Sequence, residues 1–365
     1  MPSNTIGVFV PLETDALFSF HFNRCYLDHA IHVYTDLDLF VRSHHDKKLA
    51  CYQMPYPVDP DFDRRVKVIL DHCDHVLILM SELHDRTVEF VQRNDNRRIS
   101  YFICGDFDFD LDASPVHKFY DWFTTSVHFY KHVRPELLRH SLNPYSTKPY
   151  YFDALLGRKK PHRDMANLLL DKNKNIVTYL DTHDCDFNNP ERWRWEKSGL
   201  VIEKPVEWTV DRVNYHGYRM TISQIIPLEI YNQTAYSLIA ETSYSDHFTF
   251  YTEKTVKPIL AQRLFITISG RYALRNLRQI GFQTFDNVLD ESYDSTAGLQ
   301  ERCKQALDQV RYLESQNQET ILENIRPICE HNYAHMMRTN WYGEYLDRKS
   351  TRLNSSHIPL SRMPS

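Results

Sequence analysis

Glycine is scarce in this chain of 365 residues, nine in all, which argues against collagen-like, linker-like and Gly-rich β architectures. No run of about 18 apolar residues occurs, so no segment is expected to span a membrane. The start, Met1-Pro2-Ser3-Asn4-Thr5, has no basic region ahead of the apolar IGVFV at 6–10. It reads as the approach to a first strand and not as a secretory signal. The seven cysteines (25, 51, 73, 104, 185, 303, 329) include no CxxC pair. Several lie in apolar runs, as free, partly buried thiols do in a reducing compartment, so the expected location is cytoplasmic. An excess of positive charge is missing too. The net charge is -5, which speaks against a global grip on nucleic acid. G-x-S-x-G, a Walker A loop and G-x-G-x-x-G are absent, and with them the best signals for a hydrolase, a P-loop protein or a dinucleotide dehydrogenase. The pairs His72/His75 and His331/His335 lack an acidic companion such as HExxH and read as scattered surface histidines.

What the chain does hold is apolar material for two cores: 42% hydrophobic residues with 13% aromatic, against 25% charged. The length suits two domains of ordinary size. Strands are expected at 6–10, 49–52, 75–80 and 99–104, with a helix over 84–93 between the last two, a spacing that implies a parallel βαβ unit. The run Asn143-Pro144-Tyr145-Ser146-Thr147-Lys148-Pro149 has the composition of a linker. Beyond it, strands are expected at 176–180, 236–241 and 264–269. Helices are expected at 252–263, capped by Thr252, at 271–280, stopped by Gly281, and from Leu299 onward, where apolar residues recur three and four apart. The expected organisation is two α/β domains in tandem, 1–145 and 150–346.

The last nineteen residues read differently. Asp347–His357 and Ser361–Ser365 resemble an in-frame translation of two blocks of a common short-read sequencing adapter. Residues 347–365 are therefore expected to be non-native, with the natural chain continuing past Leu346. Without Asp347, Arg348, Lys349, Arg352 and Arg362 the net charge moves from -5 to -8.

The most informative stretch is Leu238-Ile239-Ala240-Glu241-Thr242, followed by Phe250-Tyr251-Thr252-Glu253-Lys254, a helix, an apolar strand and Gly270. A carboxylate at a strand end lies in the crevice where open α/β sheets bind ligands. Ten residues on, Thr252-Glu253-Lys254 opens a helix whose partial positive charge suits a phosphate. Lys254 adds a full charge there, and Glu253 can accept from ribose hydroxyls. The plain alternative is a capped helix start with a solvated lysine.

This block resembles the donor-binding motif of the α1,3-fucosyltransferase family, in which a strand end precedes a Y-V-T-E-K helix start, then a strand and a glycine. The resemblance covers roughly 150–345 and is strongest over 236–285. It implies two Rossmann-like domains of the GT-B type with a cleft between them, and a nucleotide-diphosphate sugar donor, GDP-fucose before others. By resemblance Glu253 holds the ribose, Lys254 the diphosphate, and Glu241 lines the same site. The family also grips the diphosphate with an arginine that opens a helix. Here the match is Arg163, with Arg158 and Lys160 as rivals in Leu156-Gly157-Arg158-Lys159-Lys160-Pro161-His162-Arg163. Tyr251 and Thr255-Val256-Lys257-Pro258 depart from the family pattern.

In the N-terminal half, Asp106-Phe107-Asp108-Phe109-Asp110-Leu111-Asp112 alternates carboxylates on one face of an extended segment. It fits an Asp-x-Asp metal clamp of a metal-dependent transferase, or an acidic loop whose phenylalanines pack inward. Asp106, or Glu82 after the 75–80 strand, is alternatively the general base of a metal-independent transferase. The reading that joins these signals is glycan biosynthesis by direct inverting transfer to a glycan acceptor, without a required cofactor. The rival readings are the metal-dependent transferase and a non-enzymatic carbohydrate-binding or assembly protein.

Overall fold

The computed structural model describes residues 5–11, 30–54, 61–80, 83, 85–118, 126–180, 212–215, 218–221, 225–339 and 341. The chain divides into two compact units, one comprising Met1–Phe119 with Asn340–Ser365 and the other Tyr120–Thr339.

The first unit is built on strands β1 (Thr5–Phe9), β2 (Ala30–Tyr34), β3 (Lys47–Gln53), β4 (His75–Met80), β5 (Ile99–Ile103) and β7 (Val116–Lys118). The two-residue strand β6 (Asp106–Phe107) lies between the last two in sequence. The six-stranded sheet runs in the order β2-β1-β3-β4-β5-β7, and every pair is parallel. Parallel strands buried on both faces need continuous apolar sequence, and HVLILM of β4 is buried from Val76 to Met80. Helix α1 (Leu37–Arg42) starts where the Asp36 side chain accepts from the Leu39 amide at 2.9 Å. Helix α2 (Phe62–Leu70) buries Phe62, Val66 and Ile69, one stripe at helical spacing. Helix α3 (Asp85–Arg93) joins β4 to β5, the βαβ unit expected from the sequence.

Among the described residues, the early part of the second unit includes a π-helical turn at Phe129–Val133 and α4 (Glu136–Ser141). Its sheet comprises β8 (Tyr150–Arg158), β9 (Ile176–Leu180), β12 (Thr234–Ala240) and β14 (Phe265–Ile268), in the order β14-β12-β8-β9. All three pairings are parallel. From β8 the chain crosses outward through α5 (Pro161–Leu169) to β9. An antiparallel pair, β10 (Arg212–Tyr215) and β11 (Tyr218–Thr221), and α6 (Leu228–Gln233) precede β12. The chain then leaves β12 in the opposite direction, through the short β13 (Phe248–Thr249) and α7 (Glu253–Leu260), to β14. The order therefore reverses between β8 and β12. That reversal is the switch point of a doubly wound sheet.

Three helices complete the unit: α8 (Ala273–Gln279), α9 (Leu299–Glu314) and α10 (Gln318–Arg338). Helix α9 packs on α5, β8 and β14, and α10 packs on α7. The Asn143–Pro149 run lies within this unit: the Tyr145 hydroxyl donates to Gln262 Oε1 at 2.9 Å, and Arg326 stacks over the Tyr145 ring.

At the amino end of β12, buried Asp153 pairs with buried Arg263 at 2.9 Å. Arg263 also donates to the carbonyls of Tyr231, Thr234 and Tyr236 and to the hydroxyls of Thr234 and Ser237. A buried ion pair is tolerable only when so fully hydrogen-bonded.

The described cysteines 51, 73, 104, 303 and 329 are buried free thiols, in line with the sequence. Among the described residues no helix is long and apolar enough to cross a membrane. Glu82 and the tail at 347–365 lie outside the described residues, and the adapter reading of that tail gains no support.

Candidate functional site

The switch point of the second unit is where five residues singled out from sequence meet: Arg163, Glu241, Thr252, Glu253 and Lys254. As β8 ends, Gly157 adopts a left-handed conformation (φ +60°) and the pairing with β9 becomes irregular between Leu155 and Arg158. The last carbonyls of β12 and of the residues after it need other donors. The first turn of α5 supplies them. Arg163 Nη2 donates to the Ala240 carbonyl (3.3 Å), His162 Nε2 to Glu241 (2.8 Å) and Lys160 Nζ to Thr242 (2.8 Å).

His162 is fully buried, and burial among Arg163, Lys160 and Lys254 pushes its pKa down to about 3. It is a neutral ring whose Nε2–H is spent on a carbonyl, which leaves Nδ1 as an acceptor. The structure shows that Nδ1 buried without a hydrogen-bond partner among the described residues.

Glu241 organises the opposite side. Its carboxylate is completely buried. It accepts from Thr252 N (3.1 Å), Thr252 Oγ1 (2.7 Å), Thr255 Oγ1 (2.6 Å) and Thr242 N (3.2 Å). These bonds occupy it with the loop and the first turn of α7, so its place at the site is as the anchor of that turn. Thr252 caps α7, its Oγ1 accepting from the Lys254 amide at 3.2 Å. Lys254 Nζ donates to Glu253 Oε1 (2.8 Å), Thr252 Oγ1 (3.1 Å) and Thr242 Oγ1 (3.3 Å). Lys160 and Lys254 thus converge on Thr242, one from each helix start.

Burial opposes ionisation of Glu253. The charges of Lys254 and Lys257 and the hydrogen bond from Lys254 outweigh it and hold the carboxyl below its usual range. One turn further on, Lys257 is buried and its pKa falls to about 8, the desolvation only partly offset by Glu253. Sequence reading passed over His162, Thr242, Thr255 and Lys257 as site residues. For Lys257 a signal existed, because it stands four residues after Glu253 on the same helical face. The contacts of His162 and Thr242 span about 80 residues and leave no local signature.

In the first unit Asp106 forms an ion pair with Lys118. Phe107 is buried and stacks on Phe109 with centroids 5.0 Å apart. The amides of Asp112, Ala113 and Ser114 fold onto the Asp95 carboxylate at 2.6–3.2 Å. Among the described residues no group of three or more His, Cys, Asp or Glu could hold a metal ion. His75 donates to or accepts from Ser100 at 2.8 Å, while His331 and His335 bind the carbonyls of Gly281 and Ile280 just past the end of α8.

No protein-family model matches the chain, and no curated protein matches it. Among solved structures, the chain is similar to a crystal structure of an α1,3-fucosyltransferase at 12% identity and a TM-score of 0.42, over 95% of this chain and 90% of that one. It is also similar to a DNA-modifying β-glucosyltransferase, solved with and without uridine diphosphoglucose, at 10% identity and a TM-score of 0.40, over 94% and 98% of the two chains. Both are loose superpositions.

Proposed function

We propose that the protein is a glycosyltransferase whose nucleotide-diphosphate sugar binds at the switch point of the second unit. The observation that carries this is the convergence there of two helix starts, α5 and α7, with Lys160, Arg163 and Lys254 and an ionised Glu253. Amide groups at helix starts and fixed cations stabilise a bound diphosphate and the charge that builds on it as it leaves. Glu253 is an acceptor for ribose hydroxyls once Lys254 turns to phosphate. The resemblance of the Thr252-Glu253-Lys254 block to α1,3-fucosyltransferases favours GDP-fucose as donor and the GT-B type as architecture.

In this reading 1–145 is the acceptor side and 150–346 the donor side, and transfer to a glycan acceptor is inverting. A carboxylate of the first unit, Asp106 or Glu82, takes the acceptor proton while the sugar carbon gains oxocarbenium character. The cations of the second unit stabilise the leaving diphosphate without a required metal. A cytoplasmic location belongs to the same proposal.

Calorimetric titration with GDP, UDP, CDP and ADP, with and without Mg²⁺, tests it. The expected result is GDP binding that persists in EDTA and weakens at least tenfold in Lys254→Ala. Binding of UDP only with Mg²⁺ would shift the assignment to the Asp106–Asp112 carboxylates. A folded protein that binds glycans and none of the four nucleotides would overturn the enzymatic reading.

A further inference from the structure

Lys254 has no spare donor: its three ammonium hydrogens match three acceptors, one of them Glu253. For Lys254 to engage a diphosphate it must give up some of these bonds. Glu253, which is 6% exposed, would then be a buried carboxylate without a cation, an arrangement that costs several kcal/mol.

Lys257 is placed to prevent this. It sits one turn along α7 from Glu253, in the favourable order of glutamate before lysine, and helical side chains lean toward the helix start. It is 9% exposed, and among the described residues it has no hydrogen-bond or ion-pair partner. The charged groups that influence it are Glu253 and Lys254 on α7, Asp153 on β8 and Glu241 at the end of β12. Asp153 is already held by Arg263, and Glu241 by its threonines and amides. On α10, which packs on α7, the titratable group among the buried residues is Cys329, whose thiol burial pushes up to about 12 and so keeps neutral. Glu253 is therefore the anion that Lys257 can serve.

We infer that Lys257 is a positioning residue that takes over Glu253 when Lys254 turns to the anionic donor, and that loading the site draws a proton from solvent onto those Lys257 amines that are neutral before the donor arrives. The inference rests on the donor-site reading above. In the unloaded state Lys257 is about half protonated near pH 8. Arrival of the diphosphate and release of Glu253 both favour its charged form.

The test is calorimetry of GDP binding to the whole protein at pH 8 in two buffers of different ionisation enthalpy, for wild type, Lys257→Arg and Lys257→Met. Wild type is expected to take up about half a proton per GDP. Lys257→Arg, always charged, keeps affinity within about threefold and loses that uptake, and the difference between the two proteins cancels the nucleotide's own titration. Lys257→Met loses the uptake and weakens binding about tenfold. Uptake that persists in Lys257→Arg, or wild-type affinity in Lys257→Met, overturns the role of Lys257 and leaves the donor site standing. Failure of folded wild type to bind any of the four nucleotides overturns both.

Discussion

A single buried carboxylate sets the geometry of the site. Glu241 accepts from two amides and two hydroxyls, and replacing it by glutamine would turn one of those acceptor atoms into a donor facing donors. Glu241→Gln is expected to lose about 2 kcal/mol of stability, the usual cost of stranding a buried hydrogen-bonding group, with GDP affinity falling further as the first turn of α7 loosens. Urea denaturation and calorimetry on the same variant read both effects. Lys257 makes an opposite prediction. Its folded pKa is about 8 against an ordinary value of 10.5, so between those values the unfolded chain binds more protons and stability rises with pH. Below pH 8 the buried charge is a constant cost. Lys257→Met should therefore be more stable than wild type at pH 7, with the gap narrowing from pH 8 to about 10.5. A gap that widens over that range would show that the amine is not held at a cost.

At the scale of elements, the crossing of Gly270 by the 245–248 segment is the tightest joint near the site. A Cβ on Gly270 would stand 1.9 Å from the Phe248 carbonyl oxygen and 3.1 Å from that of Ser245. Since backbone on both sides must move, Gly270→Ala is expected to cost about 3 kcal/mol or abolish soluble expression, as thermal melting would show. Several elements were legible in the sequence for simple reasons. Strands β4 and β9 appear at the expected residues because each is a run of apolar and β-branched side chains. The Thr252 cap and the Gly281 stop are local signals, and Gly281 has φ +99°. Strand β8 was not legible. Its Asp153 looks wrong for a central strand until Arg263, 110 positions away, is seen to neutralise it. Helix α7 ends at Leu260, sooner than the expected 263. Gln262 turns left-handed (φ +54°), and the amides of Gln262 and Arg263 return to the Ile259 and Pro258 carbonyls at 3.1 and 2.9 Å. The half of the candidate site contributed by Thr252 to Lys254 could be read locally. The half contributed by α5 depends on carbonyls about 80 residues away.

On the scale of the whole molecule, each unit has its own parallel sheet and its own buried core, so unfolding is expected to depart from a single two-state transition. Nucleotide should raise only the transition of the second unit, by about 2.7 kcal/mol at a hundredfold excess over Kd. Differential scanning calorimetry with and without GDP would show it, and equal shifts in two resolved transitions would contradict the placement of the site. The molecule carries a net charge of -5 while the proposed site gathers lysines and an arginine. Raising salt should accordingly weaken GDP binding through local screening, with no compensating long-range attraction from the protein as a whole.

Helix α7 is fastened at both ends to the same strand: its start to the Glu241 carboxylate just past β12, and its far end, through Arg263, to the backbone of β12 at Thr234 and Tyr236. A rod pinned in this way has no axial freedom. On the proposed function, donor capture would proceed through side-chain rotations of Lys254 and Lys257, which are fast, instead of through displacement of the helix. Stopped-flow traces of nucleotide binding should be single exponentials whose rate rises linearly with concentration, without the plateau that a slow structural step imposes.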